Sequence, residues 1–214
     1  MKQIIDLNTW SRRDNYEFFR NYANSWYSIA VELECGGSFA ACKASGDSFF
    51  IRYLHAVLCA ANEVEALRYR KTSEGLVVLY DKLDVITPIS AGDNFVTVRI
   101  PYISDYDEFK ETAQKIIDGI TSDDSPYGVE NEILKSGDYN VIHLSAVPKM
   151  RFTSLSYTFQ AVGTGCVFPL SVMGKACCQG DGRMRMPYSI YVDHAFVDGA
   201  HLSAFFEKIE ARLR

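Results

Sequence analysis

Tyr191-Val192-Asp193-His194-Ala195-Phe196-Val197-Asp198-Gly199 is the stretch whose reading decides the fold. Tyr188 to Val192 reads as a strand, which delivers a histidine and then, at Asp198, a carboxylate. Gly199 closes the turn, and Leu202, Phe205, Phe206, Ile209 and Leu213 recur at the spacing of an amphipathic helix. A histidine at such a junction is held by rigid elements at an edge that ligands reach, and imidazole is the side chain best suited to act as a general base near neutrality. Taken alone, the motif also has plainer readings. Asp198 makes a good helix N-cap, His194 an edge histidine, and Gly199 a turn residue. His194, Asp198 and His201 form an H-x3-D-x2-H set, but no second ligand pair stands nearby, so no metal is expected.

Upstream of this block, Val167 to Cys177 and Arg183 to Val192 pair as a hairpin across Gln179-Gly180-Asp181-Gly182. Trp26 to Cys35 alternates, with Tyr27, Ile29, Val31 and Leu33 on one face, as a half-buried strand does. Further strands are expected at Ile4 to Leu7, Tyr69-Arg70, Leu76 to Tyr80, Val85 to Ile89, Phe95 to Ile100, Asn140 to Val147 and Thr153 to Ala161. Helices are expected over Ser11 to Tyr22, Ser38 to Lys43, Ser48 to Leu67 and Asp105 to Ile120, besides the last one. The longest is apolar over most of its surface, which makes it a central packing element and His55 a core or interface residue. Thr121 to Tyr139 is polar, carries Pro126, Gly128 and Gly137, and reads as a loop with at most a short helix. Antiparallel-style strands mixed with a few helices predict an α+β fold: a two-layer α/β sandwich with a mixed, mainly antiparallel sheet.

The chain has 214 residues, 48% of them apolar, and reads as one domain over residues 1–214. A net charge of −5 with scattered Lys and Arg gives no electrostatic case for nucleic acid or an anionic membrane. No apolar run approaches the ~20 residues that span a bilayer. Met1-Lys2-Gln3-Ile4-Ile5-Asp6 lacks the apolar segment of a signal peptide, so the cytoplasm is the expected location. Cysteines 35, 42, 59, 166, 177 and 178 show neither C-x-x-C spacing nor a disulfide framework and read as thiols in a reducing compartment. No G-x-G-x-x-G follows a strand and no P-loop is present.

Five segments in order resemble the chloramphenicol acetyltransferase family. Trp10-Ser11-Arg12-Arg13-Asp14-Asn15-Tyr16-Glu17-Phe18-Phe19 is similar to its W-x-R-[RK]-E-H-F-E-x-[FY] opening, and Asn62 to Arg68 to its N-x-x-x-E-[FL]-R segment. Ser145-Ala146-Val147-Pro148 resembles S-A-x-P, Met173-Gly174-Lys175 with Gly180-Asp181 resembles T-M-[AG]-K-Y…G-D, and Asp193-His194 through His201 resembles H-H-A-V-C-D-G-F-H. The matches span nearly the whole chain, which makes them far more specific together than any one alone.

The resemblance implies a coenzyme A-dependent acyltransferase fold, assembled as a homotrimer with each active site at a subunit interface. It implies acetyl-coenzyme A as co-substrate and a small hydroxyl compound as acceptor, with chloramphenicol as a candidate. His194 then takes the place of the family's general base and Ser145 that of its oxyanion donor. Asp198 and Arg12 match an ion pair that fixes local structure, while the histidine tautomer is held by its own backbone carbonyl. Ser145, Lys149 and Lys175 are the positions expected beside the co-substrate. Phe18, Phe19, Tyr27, Tyr157 and Val172 are those expected to line the acceptor pocket.

The chain departs from the family pattern at several of these positions. Asp193 replaces the first histidine of the pair, Lys149 a tryptophan, Ala176 a tyrosine and Val172 a threonine. These changes keep two alternatives open: the same chemistry on an endogenous hydroxyl compound, or a protein that binds an acyl-coenzyme A or other ligand without turnover.

Overall fold

The computed structural model describes residues 1–121, 123–158 and 167–214. Among them the chain runs β1 (Lys2–Ile4), α1 (Arg13–Phe19), β2 (Trp26–Glu34), α2 (Gly36–Ser45), α3 (Phe49–Glu63), a 3-10 turn (Glu65–Arg68), β3 (Tyr69–Lys71), β4 (Val77–Tyr80), β5 (Asp84–Ala91) and β6 (Asn94–Ile100). There follow α4 (Tyr106–Asp118), α5 (Gly128–Ser136), β7 (Val141–Ala146), β8 (Leu170–Met173), β9 (Cys177–Cys178), β10 (Met184–Asp193) and α6 (Gly199–Leu213). One sheet has the order β2-β10-β8-β7-β5-β6, with β9 beside β10, and β1-β4-β3 form a small second sheet. In the large sheet β7 runs parallel to β5 and β8, and the other pairs are antiparallel. The mixed, mainly antiparallel α+β architecture is the one expected.

Side-chain alternation gives this sheet two unlike faces. On one face Leu33, Ile142, Leu144, Met173, Met186, Tyr188, Ile190 and Val192 form the main core with α3 and α6. Helix α3 suits the centre because it is apolar nearly all round; Ser48 caps it by accepting from the Ile51 amide at 3.3 Å. Helix α6 buries Leu202, Phe205, Ile209 and Leu213 as a stripe, each worth about 1.5–3 kcal/mol relative to exposure. The other face carries no such layer. Helix α5 covers one end of it through Ile133, packed with Ile86, Tyr139, Val141 and Phe168. No helix among the described residues is long and apolar enough to cross a membrane.

Three expectations need correction. The strand expected over Thr153 to Ala161 is absent from residues 153–158, and residues 159–161 lie outside the described ones, as does Cys166. The segment crosses the open sheet face instead of lying along an edge. Arg151 reaches Glu32 on β2 at 2.6 Å, and the Tyr157 ring stacks on Tyr191 of β10 at 5.3 Å. A backbone so placed has no ladder to join. The helix expected over Ser48 to Leu67 stops at Glu63, because Val64 is extended and a 3-10 turn follows. The strand over Val167 to Cys177 is interrupted at Gly174, where a Cβ would stand 2.5 Å from Pro187 Cγ and 2.8 Å from the Met150 carbonyl oxygen. Only glycine lets those two segments approach so closely.

Candidate active site

The strand β10 ends at Asp193, and residues 194–196 turn the chain toward α6. The corner is fixed from several sides. The His194 amide donates to the Ser25 carbonyl at 2.9 Å, and Asp193 Oδ1 accepts from the Ala195 amide at 2.9 Å. The Asp193 carboxylate thus serves the turn rather than the imidazole. Asp198 caps α6 by accepting from the Ala200 and His201 amides at 3.1 and 3.3 Å, and His201 Nδ1 accepts from the Asp198 amide at 3.2 Å. That reciprocal pair is a capping box and accounts for the His201 spacing. Among the described residues no cluster suited to a metal occurs.

Arg12, at the N-terminus of α1, holds the second Asp198 oxygen at 3.2 Å. Burial works to raise the Asp198 pKa, but the His201 amide and the Arg12 guanidinium outweigh it and hold the carboxyl below its usual range. Both carboxylate oxygens are therefore engaged away from His194. The geometry is not that of a Ser-His-Asp triad.

The His194 imidazole lies between two aromatic rings. Phe19 stacks on it at 4.1 Å and 10°, and Tyr27 lies 4.6 Å away at 33°. Tyr27 is pinned by donating to the Val197 carbonyl at 3.3 Å, and burial, with help from Asp198, pushes its phenol up to about 12. His194 Nδ1 is buried and has no hydrogen-bond partner among the described residues, so the expected bond to its own carbonyl is not made. Nε2 is the ring's open edge. Phe18 stacks edge-on to Phe19 at 5.0 Å and is 59% exposed, which makes it a wall without a core on its far side.

Ser145 lies elsewhere. It sits near the end of β7, opposite Val172 of β8, which is in turn opposite Ser189 of β10. His194 is five residues further along β10 than Ser189. Strand geometry puts that at roughly 17 Å along the sheet and about 10 Å across it, so about 20 Å in all. Ser145 also belongs to the open face, whereas Tyr27 and the His194 ring pack from the helix side. The expected site residues thus fall into two groups in one chain, the His194 corner with Phe18, Phe19, Tyr27, Asp198 and Arg12, and the Ser145 face with Val172 and Tyr157, a candidate pair of half-sites.

Lys149 and Lys175 flank this second half-site. The Lys175 amide donates to the Met150 carbonyl at 2.7 Å, joining the two segments. Both side chains are exposed, and neither forms an ion pair among the described residues. Val172 is 8% exposed, so the position beside Ser145 offers a methyl surface and no hydroxyl.

One residue of this face escaped the sequence reasoning. His143 stands two positions before Ser145 and shares its face. Burial lowers its imidazole to about 4, so the ring is neutral at physiological pH. Its Nδ1 is buried without a partner among the described residues. The alternation of β7, counted from Ser145, was the feature that could have found it.

The family described as chloramphenicol acetyltransferase matches residues 2–210. Chloramphenicol acetyltransferase 3 of Escherichia coli is 26% identical over 210 residues, which cover 96% of this chain and 94% of that protein. The chloramphenicol acetyltransferase of Staphylococcus aureus is 25% identical over 219 residues, covering 99% and 98%. A solved structure of a chloramphenicol acetyltransferase superposes with a TM-score of 0.95 at 46% identity, over the whole of both chains. The dihydrolipoamide acetyltransferase of Azotobacter vinelandii shares the fold, with a TM-score of 0.62 and 14% identity over 94% of this chain and 85% of that one.

Proposed function

The chain belongs to the chloramphenicol acetyltransferase family and is an acyl-coenzyme A-dependent acetyltransferase; from that premise we propose that it acetylates a hydroxyl of a small acceptor, chloramphenicol being the first candidate. His194 is the general base. Its Nε2 takes the proton of the acceptor hydroxyl as the oxygen attacks the thioester carbonyl of acetyl-coenzyme A. A C–O bond forms, the tetrahedral intermediate collapses, and the C–S bond breaks. The proton then passes from His194 to the departing thiolate, which leaves a free thiol and an acetyl ester. An alcohol is a poor nucleophile near pH 7, so holding it against the base supplies much of the acceleration.

The Ser145 hydroxyl donates to the oxyanion, a role worth about 2.7–4 kcal/mol in enzymes where it has been removed. Arg12 and Asp198 are positioning residues that lock α1 onto the start of α6 and so fix the turn bearing His194. The unpaired ammonium groups of Lys149 and Lys175 suit the phosphates of coenzyme A. Phe18, Phe19, Tyr27, Tyr157 and Val172 line the acceptor pocket.

The observation that carries this proposal is the separation of the two half-sites. A base and an oxyanion donor about 20 Å apart in one chain can act together only if two chains meet, which supports a homotrimer with the site at each subunit boundary. The free thiols at Cys35, Cys42, Cys59, Cys177 and Cys178 suit the cytoplasm. The test is thiol release from acetyl-coenzyme A with an acceptor present. Wild type is expected to release thiol and His194→Ala to lose that release; equal rates across a broad alcohol panel would overturn the assignment.

Lys149, Val172 and Ala176, standing where the family pattern has tryptophan, threonine and tyrosine, favour one second possibility. The same chemistry would then serve an endogenous hydroxyl compound, or the pocket would bind its ligand without turnover. Growth of an expressing host on chloramphenicol separates the first of these from antibiotic acetylation. Calorimetric binding without thiol release from any acceptor identifies the second.

A further inference from the structure

Buried polar atoms in folded proteins nearly always have partners, so a group of them left without one marks a place where something else binds. The open sheet face carries such a group beside Ser145. His143 has a buried, unpartnered Nδ1, and its Nε2 makes no hydrogen bond to a described residue. The ring is therefore wholly uncommitted. Its backbone, by contrast, is fully engaged: the amide donates to the Pro169 carbonyl at 2.9 Å, and the carbonyl accepts from Ser171 Oγ at 2.8 Å. Tyr157 OH and Ser189 Oγ lie side by side, each buried and, apart from the other, without a partner among the described residues. Register puts Ser189 level with Ser145 across Val172, and His143 level with Tyr191, on which Tyr157 stacks. The uncommitted polar atoms thus surround the proposed reaction centre on one wall, while Phe18, Phe19 and Tyr27 supply an aromatic wall from the other half-site.

We propose that His143 is a specificity-determining residue that hydrogen-bonds a second polar group of the acceptor, with the Tyr157 hydroxyl as its auxiliary. The preferred acceptor therefore carries a flat apolar part and at least one hydroxyl or amide besides the hydroxyl that is acetylated. The inference rests on the proposed acetyl transfer at Ser145 and His194. A neutral imidazole serves this role better than a charged one. It can donate or accept according to tautomer, and it does not demand an anionic ligand.

A matched pair of acceptors tests it: 2-phenylethanol and 1-phenylethane-1,2-diol, which differ by one hydroxyl, assayed by thiol release from acetyl-coenzyme A. Wild type is expected to favour the diol in kcat/KM by about tenfold, since that is the typical penalty for leaving a buried polar group unpaired. His143→Leu is expected to abolish the preference through KM for the diol, and His143→Asn to restore part of it. Tyr157→Phe, which removes a single oxygen and leaves the ring packing intact, is expected to reduce the ratio less than His143→Leu. A diol-to-alcohol ratio that is the same in wild type, His143→Leu and Tyr157→Phe overturns the proposal while leaving acetyl transfer intact. Failure of wild type to release thiol with either acceptor, or with any alcohol, overturns the transfer itself and this proposal with it.

Discussion

At the His194 corner the polar groups around the imidazole are engaged in holding the turn: Asp193 on the Ala195 amide, Asp198 on Arg12 and the α6 amides, Tyr27 on the Val197 carbonyl. At the Ser145 face the reverse holds: among the described residues the His143 ring has no hydrogen-bond partner, and the Tyr157 and Ser189 hydroxyls have none beyond each other. The first region is built to keep one side chain still. On the proposed mechanism the second meets the acceptor. A base that must act at a fixed place gains from aromatic rings and closed hydrogen bonds, because both restrict its rotamer. A surface that must recognise an acceptor gains from unmatched donors and acceptors, at a cost in stability that binding offsets.

If this contrast is correct, the largest effect belongs to the corner. His194→Ala is expected to lower kcat by about 10²–10⁴-fold, the range general bases contribute, with thiol release as the assay. Next comes the face. Ser145→Ala is expected to cost about 10²–10³-fold in kcat with KM for acetyl-coenzyme A little changed, as loss of one oxyanion donor does. A Ser145→Ala loss confined to KM would move that residue from the transition state to ground-state binding.

The contrast extends to pH. His143 is held neutral in the folded chain, while in the unfolded chain it titrates near the ordinary histidine value of about 6.5. The unfolded state therefore binds more protons between about 6.5 and about 4. Stability attributable to the neutral ring is full above that window and falls as pH drops through it. His201 and His55 are also lowered by burial and act in the same direction, so the comparison is with His143→Leu. The variant is expected to lose less stability than wild type between pH 7 and pH 4.5, by on the order of 2 kcal/mol, as read from urea unfolding. Equal losses would mean that the ring is not dry.

The smallest effect returns to the corner. Asp198→Ala removes the α6 cap and is expected to cost about 1 kcal/mol of stability, together with a fall in kcat that Asp198→Asn, which keeps the cap oxygen, restores in part. Arg12 and Asp198 are both partly exposed, so their ion pair adds little beyond the cap. Thermal unfolding of the two variants separates the cap from the charge.

The corner was legible in the sequence because its residues are contiguous. A strand, a histidine, an aspartate cap, a glycine and an apolar helix stripe lie within residues 188–213, and local rules read each of them. The Ser145 face was only half legible. Ser145 itself emerged from the S-A-x-P resemblance, but His143 did not, because β7 reads as a plain buried strand until its two faces are told apart by neighbours far away in sequence. Helix α5 was left within a polar segment because its few apolar residues, Val129, Ile133 and Leu134, cover only one end of an otherwise open sheet face. Residues 153–158 alternate like a strand yet form none, since alternation specifies a half-buried surface and not the presence of an edge to pair with. Composition and periodicity gave no indication that the site is shared between chains. The family resemblance implied it, and the register from Ser145 through Val172 to Ser189 is what supports it.

Mixed assembly tests the shared site most directly. His194→Ala and Ser145→Ala protomers, each nearly inactive alone, are co-expressed with separable tags and the hybrid trimers isolated. In every hybrid trimer about one boundary in three joins an intact His194 to a neighbour's intact Ser145. Thiol release at about a third of the wild-type rate is the result expected. Activity no higher than the mean of the two parents would contradict the account, because it would place base and oxyanion donor in a single chain.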